Sequence, residues 1–487
     1  MNKKNQDKKE IFELKSNQLT ASKKDLSEWY NQLMLLADIV DDRYAVKGMA
    51  VWKPYGYKIM QNIKRRWDEL FQNAGIQEVY FPLIVPIEYC EQNPSWWQGF
   101  KSEGFKVIAG TDNKIQGIIR PTGEPAIYPM YSMWVRSKND LPIRFYETVN
   151  SYRYETKSTR PLIRTREISV WHEIHTAHAT REEAEEEFQL HIKLWDELWK
   201  DLALPSFKVV KPIWECFPGA IGAVEYYSTT PNGRVMENGS VNNLGQAYAK
   251  KFNIKFKDEK GKEQYAWQIC TGNGARLLGG LILIHGDDKG LIIPPRIAPI
   301  KAVIVPILFK GKEKIVLEKA KELSKELKEF DVYLDERKEK TAGEKFYEWE
   351  IKGVPLRIEI GPKDIEKDSF VLVRRDTGKK EIISNKDAKK KIKETLEDIQ
   401  DSLLKKATEM LNSQIKDAKT LEEVKSNVKS GKISRVFWCK EGECYDKISE
   451  TAEGLEGFGS DLEKKEEGHC IICNKKTKTK LYLAKSY

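Results

Sequence analysis

The chain has 487 residues and a net charge of +9, which predicts two to four domains with a large core. No apolar run of about 18 residues occurs, which excludes a membrane-spanning helix, and the polar N-terminal stretch lacks the apolar segment of a signal peptide. Seven cysteines, four of them near the C-terminal end, favour a reducing compartment over a disulfide framework. We therefore predict a cytoplasmic protein without a membrane partner.

The first 83 residues read as a lead-in followed by alternating helical and extended segments. Residues 1–25 are polar and predict a flexible or loosely helical arm. Beyond them, apolar spacing and turn residues predict these elements in order: a helix from Leu26 to Val40, a strand from Val46 to Val51 ending at a Pro54–Gly56 turn, an amphipathic helix from Ile59 to Asn73 and a strand from Val79 to Leu83. The following segment, residues 91–100, is rich in aromatic side chains, as a loop that covers a core would be.

The segment from residue 150 to 178 carries the chain's densest group of arginines. Alternation up to Arg153–Tyr154–Glu155 predicts a strand, and Ile163 to Trp171 predicts a second strand after a charged loop. Guanidinium groups bind phosphate in a bidentate manner, so such a hairpin suits a polyphosphate ligand. A solvated hairpin with ordinary surface ion pairs is the alternative.

Two further segments complete the first 300 residues. The stretch 181–202 predicts a charged helix whose apolar stripe packs on the core. The stretch QICTGNGARLLGG then predicts a strand and a turn that lead into an apolar helix from Leu277 to Ile284. Its glycines permit a close approach of the backbone to a ligand.

These segments resemble a known family. Arg153-x-Glu155, Arg164 and Trp171-x-Glu173-x-His175 resemble motif 2 of class II aminoacyl-tRNA synthetases, and TRPLIRTREI with HTAHA resembles the archaeal/eukaryotic type of prolyl-tRNA synthetases. Residues 268–296 resemble motif 3 of that family, and residues 59–83 resemble motif 1, which forms its dimer interface. The resemblance implies a catalytic antiparallel sheet flanked by helices, a homodimer, and tRNA as a partner.

The resemblance also implies a site for ATP with Mg²⁺. Arg153 would contact the α-phosphate, Glu155 the adenine amino group, Arg164 the terminal phosphates and Arg276 the β- and γ-phosphates. Gln246 would join them as an ATP-binding residue. Arg153 and Arg276 would be the catalytic pair, because fixed cations stabilise charge that builds up on a transferring phosphorus.

A second set of residues is implied for the amino acid. They are Thr122, Glu124, Arg153, Trp171, Glu173, His175, Phe217, Ser240, Asn242, Cys270 and Thr271. In the family, residues 86–117 correspond to a mobile loop beside this pocket.

The chain departs from the family pattern around that pocket. Gly123 and Pro125 stand where Ser and Thr are expected, and Asn242 stands where His is expected. Thr271 replaces an aromatic residue, and Asn273, Gly274 and Ala275 are smaller than expected. Either the pocket is remodelled for another small amino acid, or other residues compensate for these changes.

After Pro299 the chain alternates strands and helices, which predicts an α/β domain with a mainly parallel or mixed sheet. This part resembles the family's anticodon-binding domain, in which Lys345, Glu348 and Arg357 are candidate tRNA contacts. A helix from Asp387 to Asn412 leads to the final module.

The final module contains four paired cysteines, Cys439, Cys444, Cys470 and Cys473. Their spacing predicts a structural Zn²⁺ site, with four free cysteines as the alternative and His469 as a competing ligand. The family has a C-terminal domain with a similar cysteine set, which ends in a tyrosine near the active site, as Tyr487 does here.

The predicted domains are therefore a lead-in at 1–25, a class II catalytic α+β domain at 26–298, an α/β anticodon-binding domain at 299–400 and a small α/β zinc-type domain at 401–487. The resemblance implies ATP-dependent activation of proline and its transfer to the 3′ end of tRNA. Two alternatives stay open: a paralogue that charges a different small amino acid, and a non-catalytic synthetase-like tRNA-binding protein.

Overall fold

The computed structural model describes Leu14 and residues 16–111, 113–462 and 466–487. These residues form two compact units, each assembled from segments that are distant in the chain. The first contains the described residues up to Arg66, Lys200–Leu204 and Leu281–Glu409; the second contains Trp67–Trp199, Pro205–Gly280 and Met410–Tyr487. Most of the predicted lead-in, residues 1–13 and 15, lies outside the described residues.

The helices of the described chain are numbered in order. They are α1 (Leu26–Leu36), α2 (Pro54–Asn73), α3 (Ile87–Glu91), α4 (Pro94–Phe100), α5 (Glu124–Trp134), α6 (Arg181–Asp201), α7 (Ala247–Phe252), α8 (Arg276–His285), α9 (Glu313–Glu326), α10 (Ala342–Ile351), α11 (Pro362–Glu366), α12 (Ala388–Gln414), α13 (Leu421–Lys429) and α14 (Gly442–Ser449).

The strands are numbered in the same way. They are β1 (Val40–Asp41), β2 (Val51–Trp52), β3 (Gln77–Glu78), β4 (Ile84–Val85), β5 (Phe105–Ile108), β6 (Ile115–Ile119), β7 (Ile143–Tyr152), β8 (Glu167–His178), β9 (Phe207–Val210), β10 (Gly222–Thr229), β11 (Val235–Gly245), β12 (Lys255–Lys257), β13 (Glu263–Tyr265), β14 (Trp267–Asn273), β15 (Ala302–Pro306), β16 (Val332–Leu334), β17 (Leu356–Ile360), β18 (Ser369–Arg374), β19 (Lys380–Ser384), β20 (Ile415–Asp417), β21 (Ile433–Phe437), β22 (Glu456–Asp461), β23 (Gly468–His469), β24 (Lys476–Thr477) and β25 (Lys480–Ala484).

A large sheet organises the second unit. Within the described residues it has eleven strands in the order β20-β21-β25-β22-β9-β10-β11-β14-β8-β7-β3. The central pairs β7/β8, β8/β14, β14/β11 and β11/β10 are antiparallel. Because side chains alternate between the faces of a strand, β8 presents Trp171, Glu173 and His175 on one face and His172 and Ile174 on the other. The predicted antiparallel sheet flanked by helices is confirmed.

The strands of the C-terminal segment belong to this same sheet. Strand β22 pairs with β25 on one side and with β9 on the other, where Ser460 lies opposite Val210. Phe207 and Tyr482 stack with ring centroids 5.1 Å apart. The segment after residue 415 therefore shares both hydrogen bonds and a core with the strands that precede it.

The first unit contains a mixed sheet of five strands in the order β16-β15-β17-β18-β19. Strand β15 is parallel to β16 and β17, whereas β17/β18 and β18/β19 are antiparallel. Its apolar core includes Ile304, Leu356, Ile358 and Phe370, none of which is more than 2% exposed. The predicted mixed α/β sheet is confirmed.

Some predicted element boundaries were wrong. Pro54 is the first residue of α2 and does not lie in a turn before the helix. Proline is tolerated there because it lacks an N–H, and the N–H groups of a first helical turn have no acceptor within the helix. Of the strand predicted at 46–51, only Val51 is paired, in the two-residue strand Val51–Trp52. Strand β8 starts at Glu167, later than predicted, because Arg160 and Arg164 close a tight turn in which Leu162 has φ of +62°.

Among the described residues, no helix is both long enough and apolar enough to cross a bilayer.

The close approach of two loops in the second unit predicts a stability effect. Gly233 has φ of +77°, and a Cβ there would overlap the main-chain carbonyl of Gly431. We expect Gly233→Ala to lower the free energy of unfolding about 1–3 kcal/mol more than Gly261→Ala does. Gly261 is a matched control because it has φ of +74° with nothing within 4 Å, so it reports the cost of the backbone conformation alone. Urea titration measures both, and equal losses would contradict the proposed overlap.

Candidate active site

Three neighbouring strands, β8, β14 and β11, place six of the residues predicted to bind the amino acid on one face of the large sheet: Trp171, Glu173, His175, Ser240, Asn242 and Cys270. Their pairing aligns the side chains in rows across the sheet. One row is His175, Cys270 and Asn242, and the next is Glu173, Gly272 and Ser240. The Asn242 side chain donates to Ser240 Oγ at 3.0 Å. Residues distant in the sequence thus meet because the strand register brings them together.

A buried network of charges surrounds Glu173. Its Oε2 accepts from Thr122 Oγ1 at 3.3 Å and from the Gly123 N–H at 3.0 Å, and it lies 3.2 Å from His175 Nε2. Burial disfavours the carboxylate, but the hydrogen bond and charge of His175 outweigh it and lower the pKa of Glu173 to about 2. Burial also opposes the imidazolium of His175, yet the hydrogen bond and charge of Glu173 raise its pKa. The pair is therefore best described as carboxylate and imidazolium.

Glu124 is a buried carboxylate that lacks one partner. It is 3% exposed, and its Oε2 has no hydrogen-bond partner. Burial raises its pKa, and the charge of Glu173 raises it further, although His175 acts in the opposite direction. An arriving cation such as an ammonium group would satisfy this oxygen and stabilise the charged form.

Glu124, His175 and Cys270 have donor atoms within 4.8 Å of one another, a set that could bind a metal. However, His175 Nδ1 lies 2.9 Å from Tyr128 Oη, and Nε2 is paired with Glu173. Burial also raises the pKa of the Cys270 thiol, with Glu124 and Glu173 adding to the effect. Because a metal binds neutral imidazole and thiolate, these three residues suit an organic cation better than a metal ion.

Gly123, one of the departures from the family pattern, is explained by this network. A Cβ at this position would lie 2.6 Å from Glu173 Oε1 and 2.7 Å from Ile127 Cδ1. The absence of a side chain lets the main-chain N–H reach the carboxylate.

Arg153 lies between the carboxylates and the remaining arginines. Its Nε donates to the Pro121 carbonyl at 3.1 Å, and its guanidinium carbon is 5.7 Å from the centre of the Trp171 ring. Burial lowers the pKa of Arg153, and the nearby charge of Arg276 lowers it further. The side chain is thus held in place before any ligand arrives.

The loop after β7 positions Glu155 and Arg164. Glu155 Oε1 accepts from the Lys157 N–H at 2.7 Å, and its Oε2 lies 4.0 Å from Arg164 Nε. Arg164 Nη2 donates to the Tyr487 main-chain oxygen at 2.9 Å, and the Arg160 guanidinium lies 5.2 Å from the centre of the Tyr487 ring. Tyr487 therefore lies on the arginine loop.

Arg276 faces the same loop from the start of α8. Its Nε donates to the Ile163 carbonyl at 3.0 Å, and its Nη1 lies 3.3 Å from Glu237 Oε2. Arg276, Arg164, Lys211 and Glu237 line a cavity of about 420 Å³. Glu215 and Glu456 line the same cavity, so three carboxylates accompany its three cations. The guanidinium groups of Arg164 and Arg276 are nevertheless suited to phosphate oxygens.

Thr271 is placed differently from the other predicted amino-acid residues. Strand alternation turns it toward α6, where it accepts from Trp195 Nε1 at 2.7 Å and donates to the Ser240 carbonyl. Trp195 is 1% exposed. The threonine therefore fits beneath a buried tryptophan on the face opposite Glu173 and His175.

The other small residues of this turn are covered. Trp171 lies so close that a Cβ at Gly272 would be 2.7 Å from its Cζ2, and one at Gly274 would be 3.3 Å from its Cε3. Asn273 and Ala275 are buried, 2% and 4% exposed. The space beside Gly272 and Gly274 is thus occupied by Trp171, which supports compensation over an enlarged pocket.

Phe217 and Gln246 lie at the margin of the site. The Phe217 ring is stacked on Tyr248 with centroids 6.2 Å apart. Gln246 Nε2 donates to the Tyr265 carbonyl at 2.8 Å. The amide is therefore engaged within the protein, while its Oε1 stays available to a ligand.

Sequence reasoning missed several residues that complete the site. Arg120 and Glu147 form a buried pair at 2.6 Å, and Glu147 lies opposite Glu173 on the neighbouring strand β7. Burial raises the pKa of Glu147 to about 7, with Glu173 adding to the rise and Arg120 opposing it. Tyr128 and Glu237 were also missed. Glu237 was detectable as an acidic residue in a strand, but nothing in the linear sequence places it beside Arg276.

The three candidate anticodon contacts are engaged within the first unit. Lys345 is 2% exposed and donates to the Asp335 carbonyl at 3.0 Å. Glu348 lies 2.8 Å from Arg337, and Arg357 lies 2.9 Å from Glu359. Lys345 in particular is buried inside its domain, where it stabilises the main chain at Asp335.

The four cysteines of the C-terminal segment converge. Their Sγ atoms lie within 4.8 Å of one another, and Cys473 and Cys439 are separated by 3.6 Å. Zn–S bonds of about 2.3 Å in a tetrahedron require S···S distances of about 3.8 Å, and the separation of Cys473 and Cys439 is close to this value. His469 is not part of the converging group.

Comparison with known proteins gives consistent matches along the chain. Residues 105–285 match the tRNA synthetase class II core domain (G, H, P, S and T), 301–395 the anticodon binding domain, and 421–487 the C-terminal domain of prolyl-tRNA synthetases. The proline--tRNA ligase of Methanococcoides burtonii is 42% identical over 96% of this chain and 98% of its own length. That of Pyrococcus abyssi is 42% identical over 95% and 98%, respectively.

The contact of Trp171 with Gly272 predicts an effect on the reaction. We expect the added methyl group of Gly272→Ala to push the Trp171 indole toward Arg153. The kcat/KM of amino-acid activation should then fall roughly 10- to 100-fold, because a small displacement of a side chain in an active site slows the reaction strongly. Gly222→Ala is the control, since nothing lies within 4 Å of its Cβ. Steady-state kinetics measures both, and a Gly272→Ala enzyme as active as the control would contradict the role of Trp171.

The cysteine cluster predicts bound zinc. The purified chain should contain zinc by elemental analysis, and Cys470→Ser should lose it because one of four ligands is gone. Cys216→Ser should keep it, since Cys216 lies outside the cluster. Unchanged zinc content in Cys470→Ser would contradict the site.

Proposed function

The chain belongs to the proline--tRNA ligase family, and on that basis we propose that it activates proline with ATP and transfers it to the 3′ end of tRNA. The two relatives described above cover nearly the whole chain, and the core, anticodon-binding and C-terminal domains follow one another in it. The observation that carries the mechanism is the unsatisfied carboxylate of Glu124 within electrostatic reach of Arg153. An ammonium site thus adjoins a phosphate site.

The first half-reaction follows from this arrangement. Glu124 and Thr122 would hold the amino group of proline, which directs its carboxylate toward Arg153. A carboxylate oxygen attacks the α-phosphorus of ATP, the bond to pyrophosphate breaks, and prolyl-adenylate forms. Arg153 stabilises the charge on the α-phosphate, while Arg276 and Arg164 hold the departing pyrophosphate.

The second half-reaction uses the same fixed groups. A ribose hydroxyl at the 3′ end of tRNA attacks the carbonyl carbon of the adenylate, and AMP leaves. Arg153 remains beside the phosphate of the leaving AMP, so the same guanidinium serves both steps. The anticodon-binding domain, proposed at residues 299–400, would select the tRNA.

Mg²⁺ would accompany the triphosphate and neutralise charge on its β- and γ-phosphates. Glu237 fits such an ion, because its carboxylate lines the cavity beside Arg276 and hard cations prefer oxygen ligands. The four cysteines of the 401–487 domain would hold the structural Zn²⁺ proposed above. We also propose a homodimer, on the basis of the resemblance of residues 59–83 to motif 1.

The structure gives less support to the two alternatives, a paralogue for another amino acid and a non-catalytic tRNA-binding protein. Trp171 covers Gly272 and Gly274, and Thr271 faces away from the pocket, so two arguments for a different amino acid are weakened. A non-catalytic protein would have no need for a prepositioned Arg153 beside an unsatisfied buried carboxylate.

ATP–pyrophosphate exchange over the twenty amino acids and proline analogues tests the function. We expect one dominant signal with proline, and roughly a 100-fold or greater loss in Arg153→Gln, because a fixed donor to the reacting phosphate is removed. Arg181→Gln, which changes an exposed arginine of α6, should match the unmodified chain. A stronger signal with alanine or cysteine would favour the paralogue, and no exchange despite ATP binding would favour the non-catalytic protein.

A further inference from the structure

Helix α4 brings an aromatic ring to Arg153. The guanidinium carbon of Arg153 lies 5.4 Å from the centre of the Phe100 ring and 5.7 Å from that of Trp171. Both distances are within the range of a cation–π interaction. Trp171 comes from the central sheet, whereas Phe100 comes from the aromatic segment for which sequence analysis left two interpretations open. Arg153 is thus in contact with two rings from separate parts of the fold.

The position of Phe100 is fixed by its own helix. Asn93 caps α4 by accepting from the Trp96 N–H at 3.4 Å, and Trp96, 1% exposed, anchors the helix in the core. The rings of Trp96 and Phe100, one helical turn apart, have centroids 4.9 Å apart. After the helix, the Glu103 carbonyl accepts from the Tyr154 N–H at 2.7 Å, which ties this segment to the residue after Arg153.

Arg153 has competing partners that would pull it out of place. Glu103, Glu237 and Glu124 all attract it, and Arg276 repels it. If Arg153 turned to pair with Glu124, the carboxylate that awaits the substrate ammonium would be occupied. A ring face attracts the guanidinium without using its N–H donors, so Phe100 can hold the group while its terminal nitrogens remain directed at a phosphate.

We propose that Phe100 is a positioning residue for Arg153, which it holds against Trp171 and away from Glu124, in the orientation that receives the α-phosphate of ATP. This inference rests on the proposed function. It gives the aromatic segment a role in the reaction: α4 is a support for the catalytic arginine as well as a cover for the core.

The test replaces the ring and keeps its bulk. Phe100→Leu should lower kcat/KM for ATP in the exchange reaction and weaken ATP binding, each roughly 3- to 30-fold, while the KM for proline changes less than about 2-fold. Phe100→Tyr, which keeps the ring face, should behave like the unmodified chain. Trp97→Leu is the matched control, because Trp97 lies in the same helix and its ring contacts Trp96 and Lys101. Phe100→Met serves as a second ring deletion if the leucine variant does not fold.

A double-mutant cycle separates positioning from general support of the fold. In an Arg153→Gln background, Phe100→Leu should change ATP affinity, measured by calorimetry, less than about 2-fold, because there is no guanidinium left to orient. An equal loss in both backgrounds, or an equal loss in Trp97→Leu, would overturn the proposal. Absence of exchange in the unmodified chain would contradict the proposed function alone, since the ATP-binding cycle still decides the role of Phe100. Failure of the unmodified chain to bind ATP would overturn both.

Discussion

The burial of several carboxylates in one place is the constraint on which the site depends. Glu124, Glu147 and Glu173 are each 3% exposed or less, and removing a charge from water is costly unless it is paired. Arg120 pairs with Glu147, and His175 with Glu173. Glu124 Oε2 has no hydrogen-bond partner, and neither has Glu173 Oε1. An ammonium ligand would give the Glu124 carboxylate the cationic partner that Arg120 gives to Glu147 and His175 gives to Glu173, and would stabilise its charged form.

The sheet fixes the positions of the side chains that surround these carboxylates. Side chains on β8, β14 and β11 that share a row are held by main-chain hydrogen bonds, so their separation varies little. Arg153, by contrast, follows the end of β7 and depends on its surroundings: the Pro121 carbonyl, the Trp171 ring and the Phe100 ring. Rigid carboxylates and a supported arginine together define where the reacting atoms meet.

Contiguous motifs in the sequence were enough to nominate candidate site residues, whereas side-chain directions and contacts that depend on packing could not be predicted. Arg153, Glu155 and Arg276 were predicted as ATP-binding residues because their neighbours form contiguous motifs that resemble a known family, and the same resemblance implied the antiparallel sheet. Thr271 was assigned to the pocket because its side-chain direction depends on the register of β14, which the sequence does not display. The cover that Trp171 provides for Gly272 joins residues a hundred positions apart, and Phe100 meets Arg153 only through the fold. Element ends were misjudged where a proline or a tight turn allowed two readings, as at Pro54 and Arg160–Arg164.

Because the large sheet continues into the C-terminal segment, that segment cannot be lost in evolution without affecting the rest of the sheet. Residues 421–487 match a family domain of their own, so a gene could lose this segment as a single piece. In the folded protein, however, β22 covers the edge of β9, and a shortened chain would expose unpaired N–H and C=O groups on a strand that carries Phe207 and Val209. Exposed edges of this kind promote aggregation by pairing with other chains. A protein that lost this segment in evolution would therefore first need another way to cover the edge of β9.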